Sequence, residues 1–208
     1  MSETFSAADL EPSAEDRARG RRSVVDRICA SVAVLAAGTV LGGILALGAC
    51  AAPMVFSMTP PPFSGNAMGA AFARFDRIAV GASAVVLGAE MVRTWLARRR
   101  RPEIVARIRR LAAILLAAAA SAIAIYATPT INDLHKAGVR RGEGPEGARL
   151  DAVHRQAETL GKAELGFAAL AMVLQVFTLR SREEDEEDED FPSVGLPGPD
   201  PDEGEPDS

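Results

Sequence analysis

The apolar residues of this chain come in blocks, not at the spacing of one helix face or of alternate strand positions. No charged residue occurs from Ile28 to Ala73, from Leu111 to Asn132, or from Leu165 to Leu179, and a shorter charge-free block runs from Ile78 to Ala89. A hydrocarbon core of roughly 30 Å takes about 20 helical residues, so the blocks at Ile28 and Leu111 are long enough to cross it outright. The block ending at Leu179 reaches that length from Leu160 if Lys162 and Glu164 sit near one surface, the lysine stem extending to the headgroups. The shortest block does so from Phe72 to Val92, with Arg74, Asp76 and Arg77 at one end and Glu90 and Arg93 at the other. The pattern predicts an all-α membrane protein, a four-transmembrane-helix antiparallel bundle with spans at about 28–52, 72–92, 111–129 and 160–179. A soluble buried bundle fits less well, because soluble helices seldom go two turns without a charge on the exposed side.

These spans fall within a transmembrane domain at 23–180, flanked by a polar arm at 1–22 and an acidic tail at 181–208. In the arm, Ser13 and Asp16 form a capping-box-like helix start that Gly20 soon weakens. The tail begins REEDEEDED and continues with five prolines and a single aromatic residue. Like-charge repulsion then leaves nothing to pack, and the tail is predicted to be disordered. It is either a lure for a basic protein partner or a solvated segment held off anionic lipid. In ACAAPMVFSMTPPP, Pro53 can be accommodated within a span by neighbouring helices, whereas Pro60 to Pro62 must end the helix.

Charge then sets orientation. The formal net charge is -5, but the tail holds 13 of the 28 acids, and residues 1–180 carry 22 bases against 15 acids. Arg17, Arg19, Arg21, Arg22 and Arg27 precede the first span, and none lies between Pro53 and Ala71. Eight arginines from Arg93 to Arg110 face a single acid, Glu103, between the second and third spans. The positive-inside rule places both clusters and both termini in the cytoplasm, as in a multi-pass protein of the bacterial cytoplasmic membrane. The mixed-sign connection from Thr130 to Thr159 becomes an external loop. The run Arg98, Arg99, Arg100, Arg101 lacks the interleaved aromatics of a nucleic-acid module, so anionic lipid is its expected partner and no nucleic acid is expected.

Candidate chemistry is sparse. Cys29 and Cys50 sit at opposite ends of the first span, about 30 Å apart at 1.5 Å per residue, too far to bridge. Arg74, Asp76 and Arg77 stand out because they lie on the external side, where topology does not call for arginines. One reading pairs Asp76 with one arginine and frees the other for an anionic solute; the other makes all three interfacial, with the helix starting near Phe75. His154, Glu158 and Lys162 share a helix face, and Asp151 with Arg155 forms a second i, i+4 pair. A metal there would need His135 or Asp133 as well, and a salt-bridged approach to the last span is the simpler account. GxSxG, HExxH, Walker and GxGxxG motifs are missing from the sequence, and neither an enzyme nor a cofactor is expected. Small residues at Gly38, Gly42, Ala46 and Cys50, and at Ala113, Ala117 and Ser121, predict close helix packing, with Gly38 and Gly42 inside the bundle and oligomeric state open.

LGAC, Leu47 to Cys50, resembles a bacterial lipobox, but the apolar run before it is longer than a signal core and further spans follow, so cleavage is not expected. A wider pattern joins APMVF, GNAMGAAFARF, YATPTINDL and a Val153–His154 pair. It resembles bacterial four-helix membrane proteins of unknown function related to the eukaryotic transmembrane protein 205. The resemblance spans about Val32 to Thr178 and rests on Pro53, Phe56, Gly69, Phe72, Pro129 and His154. It implies a multi-pass membrane protein with no assigned reaction. Ala157 stands where a serine is usual, which weakens any polar role beside His154. The candidate functional residues are Pro53, Phe56, Phe72, Arg74, Asp76, Arg77, Pro129 and His154. The expected role is a non-enzymatic accessory or interaction component; the rival is a small transporter or solute-binding protein using the external charged cluster.

Overall fold

A computed structural model describes residues 13–60, 63–97 and 104–190. The described residues form helices α1 (Ala14–Leu45), α2 (Ala52–Met58), α3 (Phe63–Leu96), α4 (Ile104–Ala122), α5 (Thr128–Lys136) and α6 (Gly144–Asp190), with no strand among them. Two π-helical segments, Ala46–Ala51 and Ile123–Ala127, join α1 to α2 and α4 to α5 without a break. Three helical runs, Arg17–Met58, Ile104–Lys136 and Gly144–Leu179, are long and apolar enough to cross a membrane.

Each helix overruns its charge-free block. α1 starts at Ala14, where the Arg17 N–H donates to the Ser13 carbonyl at 3.0 Å, so residues 14–22 belong to the first helix and not to a separate arm. Gly20 costs about 1 kcal/mol against alanine, too little to interrupt a helix propagating from both sides. α3 begins nine residues before Phe72, and the expected charge-free loop shrinks to a turn around Thr59 and Pro60. Thr59 is extended, at φ -124 and ψ 125, because a residue before proline is driven out of the helical region. The Pro60 carbonyl then accepts from the Phe63 N–H at 3.1 Å and opens α3.

The expected external loop from Thr130 to Thr159 is likewise mostly α5 and α6, joined by a turn in which Gly138, Gly142 and Gly144 take φ of +75, +79 and +66. L side chains rarely adopt that conformation, so the turn is written by its glycines. α6 also runs through Asp190, ten residues into the tail expected to lack structure. Glutamate is a good helix former, and extending an existing helix avoids the nucleation cost. Residues 1–12, Arg98 to Arg101 and the tail beyond Asp190 lie outside the described residues.

α1 packs on α3 and α6, and α4 packs on the same two helices, closing a four-membered ring. Contacts between Arg93, late in α3, and Asp26, early in α1, and between Arg109, early in α4, and Thr178, late in α6, show these neighbours running in opposite directions. The two described chain ends therefore share one end of the bundle, and α2 and α5 mark the other.

The interior is made mainly of small residues, with Leu116 and Leu150 the large exceptions: Ala36, Ala37 and Val40 meet Ala79 and Val86, Ala112 and Ala113, and Ala168 and Ala171. Large apolar side chains turn outward instead, with Leu35 72% exposed, Trp95 70% and Ile125 78%. Water-soluble packing inverts this distribution; lipid-facing packing, driven by close backbone approach, produces it. The closest approach is at Gly43, where a Cβ would overlap the Phe75 ring. Gly38 does face the interior, 3.9 Å from the Met172 sulfur measured from an ideal Cβ, whereas Gly42 meets nothing within 4 Å.

Candidate functional site: two buried polar layers

Ionisable groups inside an apolar bundle are costly, so where they go is informative. At the end shared by the described chain ends, each of the four ring helices sends a polar group inward. Arg93 of α3 donates to both carboxylate oxygens of Asp26 of α1, at 2.8 and 3.2 Å. Its remaining guanidinium nitrogen donates to the Gln175 side-chain carbonyl of α6, and the Gln175 amide donates to Glu90. Arg109 of α4 sits 2.7 Å from the same Glu90 oxygen and donates to the Thr178 hydroxyl at 2.8 Å. Asp26, Glu90, Arg93, Arg109 and Gln175 are all buried. Two acids and two bases cancel, and the bidentate guanidinium–carboxylate geometry is the arrangement that best offsets desolvation.

In the sequence Glu90 and Arg93 read as charges at a span end and Arg109 as part of a basic cluster, and nothing there links them to Asp26, Gln175 or Thr178. The signal was present: Gln175 and Thr178 are the only polar side chains between Leu165 and Leu179.

The second layer lies toward α2 and α5. Asp76 of α3 is 7% exposed and Glu164 of α6 3% exposed, and each has a carboxylate oxygen without a hydrogen-bond partner. Among the described residues no base forms an ion pair with either of them. Thr128 lines the same cavity as Asp76. A cavity of about 260 Å³ opens beside Asp76, walled by Thr128, Pro129 and Asn132 and rimmed by Arg77, Asp133 and Lys136. Asn132 in turn reaches Gly69, whose missing Cβ would sit 2.6 Å from its side-chain oxygen.

The candidate residues separate on this geometry. Asp76, Arg77 and Pro129 border the cavity, and Phe72 lies half-buried one turn from Asp76 on α3. Arg74 and Arg77 are exposed, and the expected pairing of Asp76 with an arginine does not form because the carboxylate turns inward while both guanidinium groups turn out. Pro53 and Phe56 also face outward, so the cavity belongs to α3 and α5 and not to the ACAAPMVF segment. His154 packs edge-on against His135 with ring centroids 5.8 Å apart. Lys162 donates to Glu158 at 2.7 Å as the helix spacing predicts, but Asp151 pairs with Arg141 at 2.7 Å instead of Arg155. Among the described residues no three His, Cys, Asp or Glu side chains gather as a metal site. Cys29 and Cys50 are both free.

No curated protein and no solved structure matched the chain. A family model matches residues 35–140, which covers both π segments, Pro53, Asp76 and Pro129 and stops short of His154 and Glu164. With half of its length matched, the chain belongs to the family described as Domain of unknown function (DUF4149).

Proposed function

We propose that the chain is a four-span integral membrane protein, in which α1 with α2, α3, α4 with α5, and α6 each cross once, and that it serves as a non-enzymatic accessory or interaction component of the bacterial cytoplasmic membrane. The observation that carries this is the inverted distribution of side chains: alanines and paired charges inside, leucine, isoleucine and tryptophan outside. α3 fits as the fourth span because its Glu90, Arg93 and Asp76 turn into the bundle and not toward lipid. The arginine asymmetry puts both termini in the cytoplasm and α2 and α5 on the external side. The likeness to relatives of transmembrane protein 205 points the same way, to a small multi-pass protein. Anionic lipid at Arg98 to Arg101 and a basic protein at the acidic tail are the partners this reading expects.

Topology reporters test it. A reporter fused after Gly142 reads external and one fused after Ser208 reads cytoplasmic; the reverse pair of signals overturns the orientation, and two signals on opposite sides from Pro60 and Gly142 overturn the four spans. A second reading, a small transporter or solute-binding protein, draws on one observation, the cavity beside Asp76 on the external side.

A further inference from the structure

The cavity beside Asp76 is a wedge between two helical runs. On α3 its wall is Ala73, Asp76 and Arg77, and on the facing run it is a stripe that climbs from Ala124 to Lys136. Its charges are sorted by depth. Asp76 is buried with its Oδ2 oxygen lacking a hydrogen-bond partner, whereas Arg77, Asp133 and Lys136 are exposed. Two acids and two bases sum to zero, so the cavity suits an occupant that is itself neutral overall yet carries charge of both signs.

Each charge narrows that occupant. A buried carboxylate with an oxygen to satisfy calls for a positively charged N–H donor. A primary ammonium meets this demand; a quaternary one has no N–H and is held by aromatic rings, and no aromatic residue lines the cavity. Pro129 adds an acceptor to the same wall. The Thr128 N–H bonds to the Ile123 carbonyl in π register, so the Ala124 carbonyl would take its donor from residue 129, a proline with none to give. At the rim, Lys136 lies 3.8 Å from Asp133, while Arg77 has no ion-pair partner among the described residues. A guanidinium holds a phosphate through paired N–H groups. Asp76 and Arg77 are consecutive in the chain, so one ligand that meets both carries its two charges a short linker apart. The large exposed side chains Ile78 and Ile125, next in sequence to Arg77 and Ala124, put the cavity at a lipid-facing edge of the bundle.

We infer that the cavity binds a phosphoethanolamine group from the external side, its primary ammonium against Asp76 and its phosphate at Arg77. The group arrives either on an outer-leaflet phospholipid or on a free phosphodiester, and the recognition chemistry is the same for both. A volume of about 260 Å³ falls just below the roughly 300–1,000 Å³ of pockets that enclose a drug-sized ligand, so it takes a headgroup and leaves any acyl chains outside, along Ile78 and Ile125.

This rests on the solute-binding reading of the cavity and on the external placement of α5, and the fusion reporters test that placement separately. The full chain in detergent is unfolded by heat with dihexanoyl phosphatidylethanolamine, with the choline and glycerol lipids of the same chain length, and with glycerophosphoethanolamine, which has no chains. At saturation the ethanolamine lipid raises Tm by at least about 3 °C and the other two lipids by no more than about 1 °C. An equal gain from glycerophosphoethanolamine supports the headgroup alone as ligand, and a gain from the lipid only supports the phospholipid as its source. Asp76→Asn and Arg77→Gln each abolish the gain. Equal gains from all three lipids, or a gain that survives Asp76→Asn, overturn the inference. Should Asp76→Asn not fold, Arg77→Gln at its exposed position decides in the same way. No gain from either ethanolamine compound overturns the ligand class, and a gain from some other solute would then leave the solute-binding reading standing without it.

Discussion

The two polar layers of this bundle bury the same kinds of side chain under opposite rules. Around Arg93, four helices contribute acids, bases, an amide and a hydroxyl whose charges cancel, with one Glu90 oxygen left without a hydrogen-bond partner. Toward α2 and α5, α3 and α6 each bury an acid, Asp76 and Glu164, that no base among the described residues pairs with. The first layer behaves as a structural lock, since removing any one member strands the others. The second has no such lock, because its two acids have no ion-pair partner among the described residues to lose. That difference in sign is open to measurement.

Arg93→Met gives the largest effect, because it leaves Asp26, Glu90 and the Gln175 carbonyl without their common partner. Breaking a buried pair on one side costs about 3–5 kcal/mol, which in a chain of this size lowers Tm by about 10 °C in detergent-solubilised protein. Combining Arg93→Gln with Asp26→Asn should recover part of that loss, and strict additivity of the two changes would mean that the bidentate pair is not the linchpin. Next comes Gly43→Ala, which drives a methyl group into the Phe75 ring and costs about 1–3 kcal/mol by overpacking, read from the same unfolding curves.

Asp76→Asn, by contrast, is expected to leave stability unchanged or to raise it by about 1 kcal/mol at alkaline pH, since an amide carries no charge to strand. A loss as large as that of Arg93→Met would erase the distinction between the layers. The smallest effect belongs to the surface: Arg141→Ala removes an exposed pair with Asp151 and should not shift Tm measurably.

The sequence made the helices legible because charge-free length is a direct demand of the bilayer. It was poorer at their ends, since helices continue past the hydrocarbon wherever nothing stops them. Thus α1 reaches back to Ala14, and α3 starts as soon as Pro60 releases the chain. Of the candidate site, Asp76 and Pro129 were visible as an unusual charge and an unusual proline. Glu164 was hidden because, next to Lys162, it looked like an ordinary interfacial residue. The Arg93 layer was hidden for a different reason: its members come from positions as distant as Asp26 and Gln175, and only the closing of the helix ring shows them to be neighbours.

The π segments bear on how this chain can be aligned and edited. A π turn holds more residues per turn than the α-helix around it, so side chains beyond Ala51 are rotated from where an uninterrupted α-helix would put them. Gly42, Ala46 and Cys50 are all exposed, while Gly38 is half-buried. Deleting one residue from Ala46–Ala51 would restore α geometry and leave Met54 and Phe56 on the outer surface, because the wide turn already absorbs the roughly 100° that one extra residue adds. A one-residue gap in a related sequence at this point would thus mark loss of the wide turn, with the faces on either side of it kept.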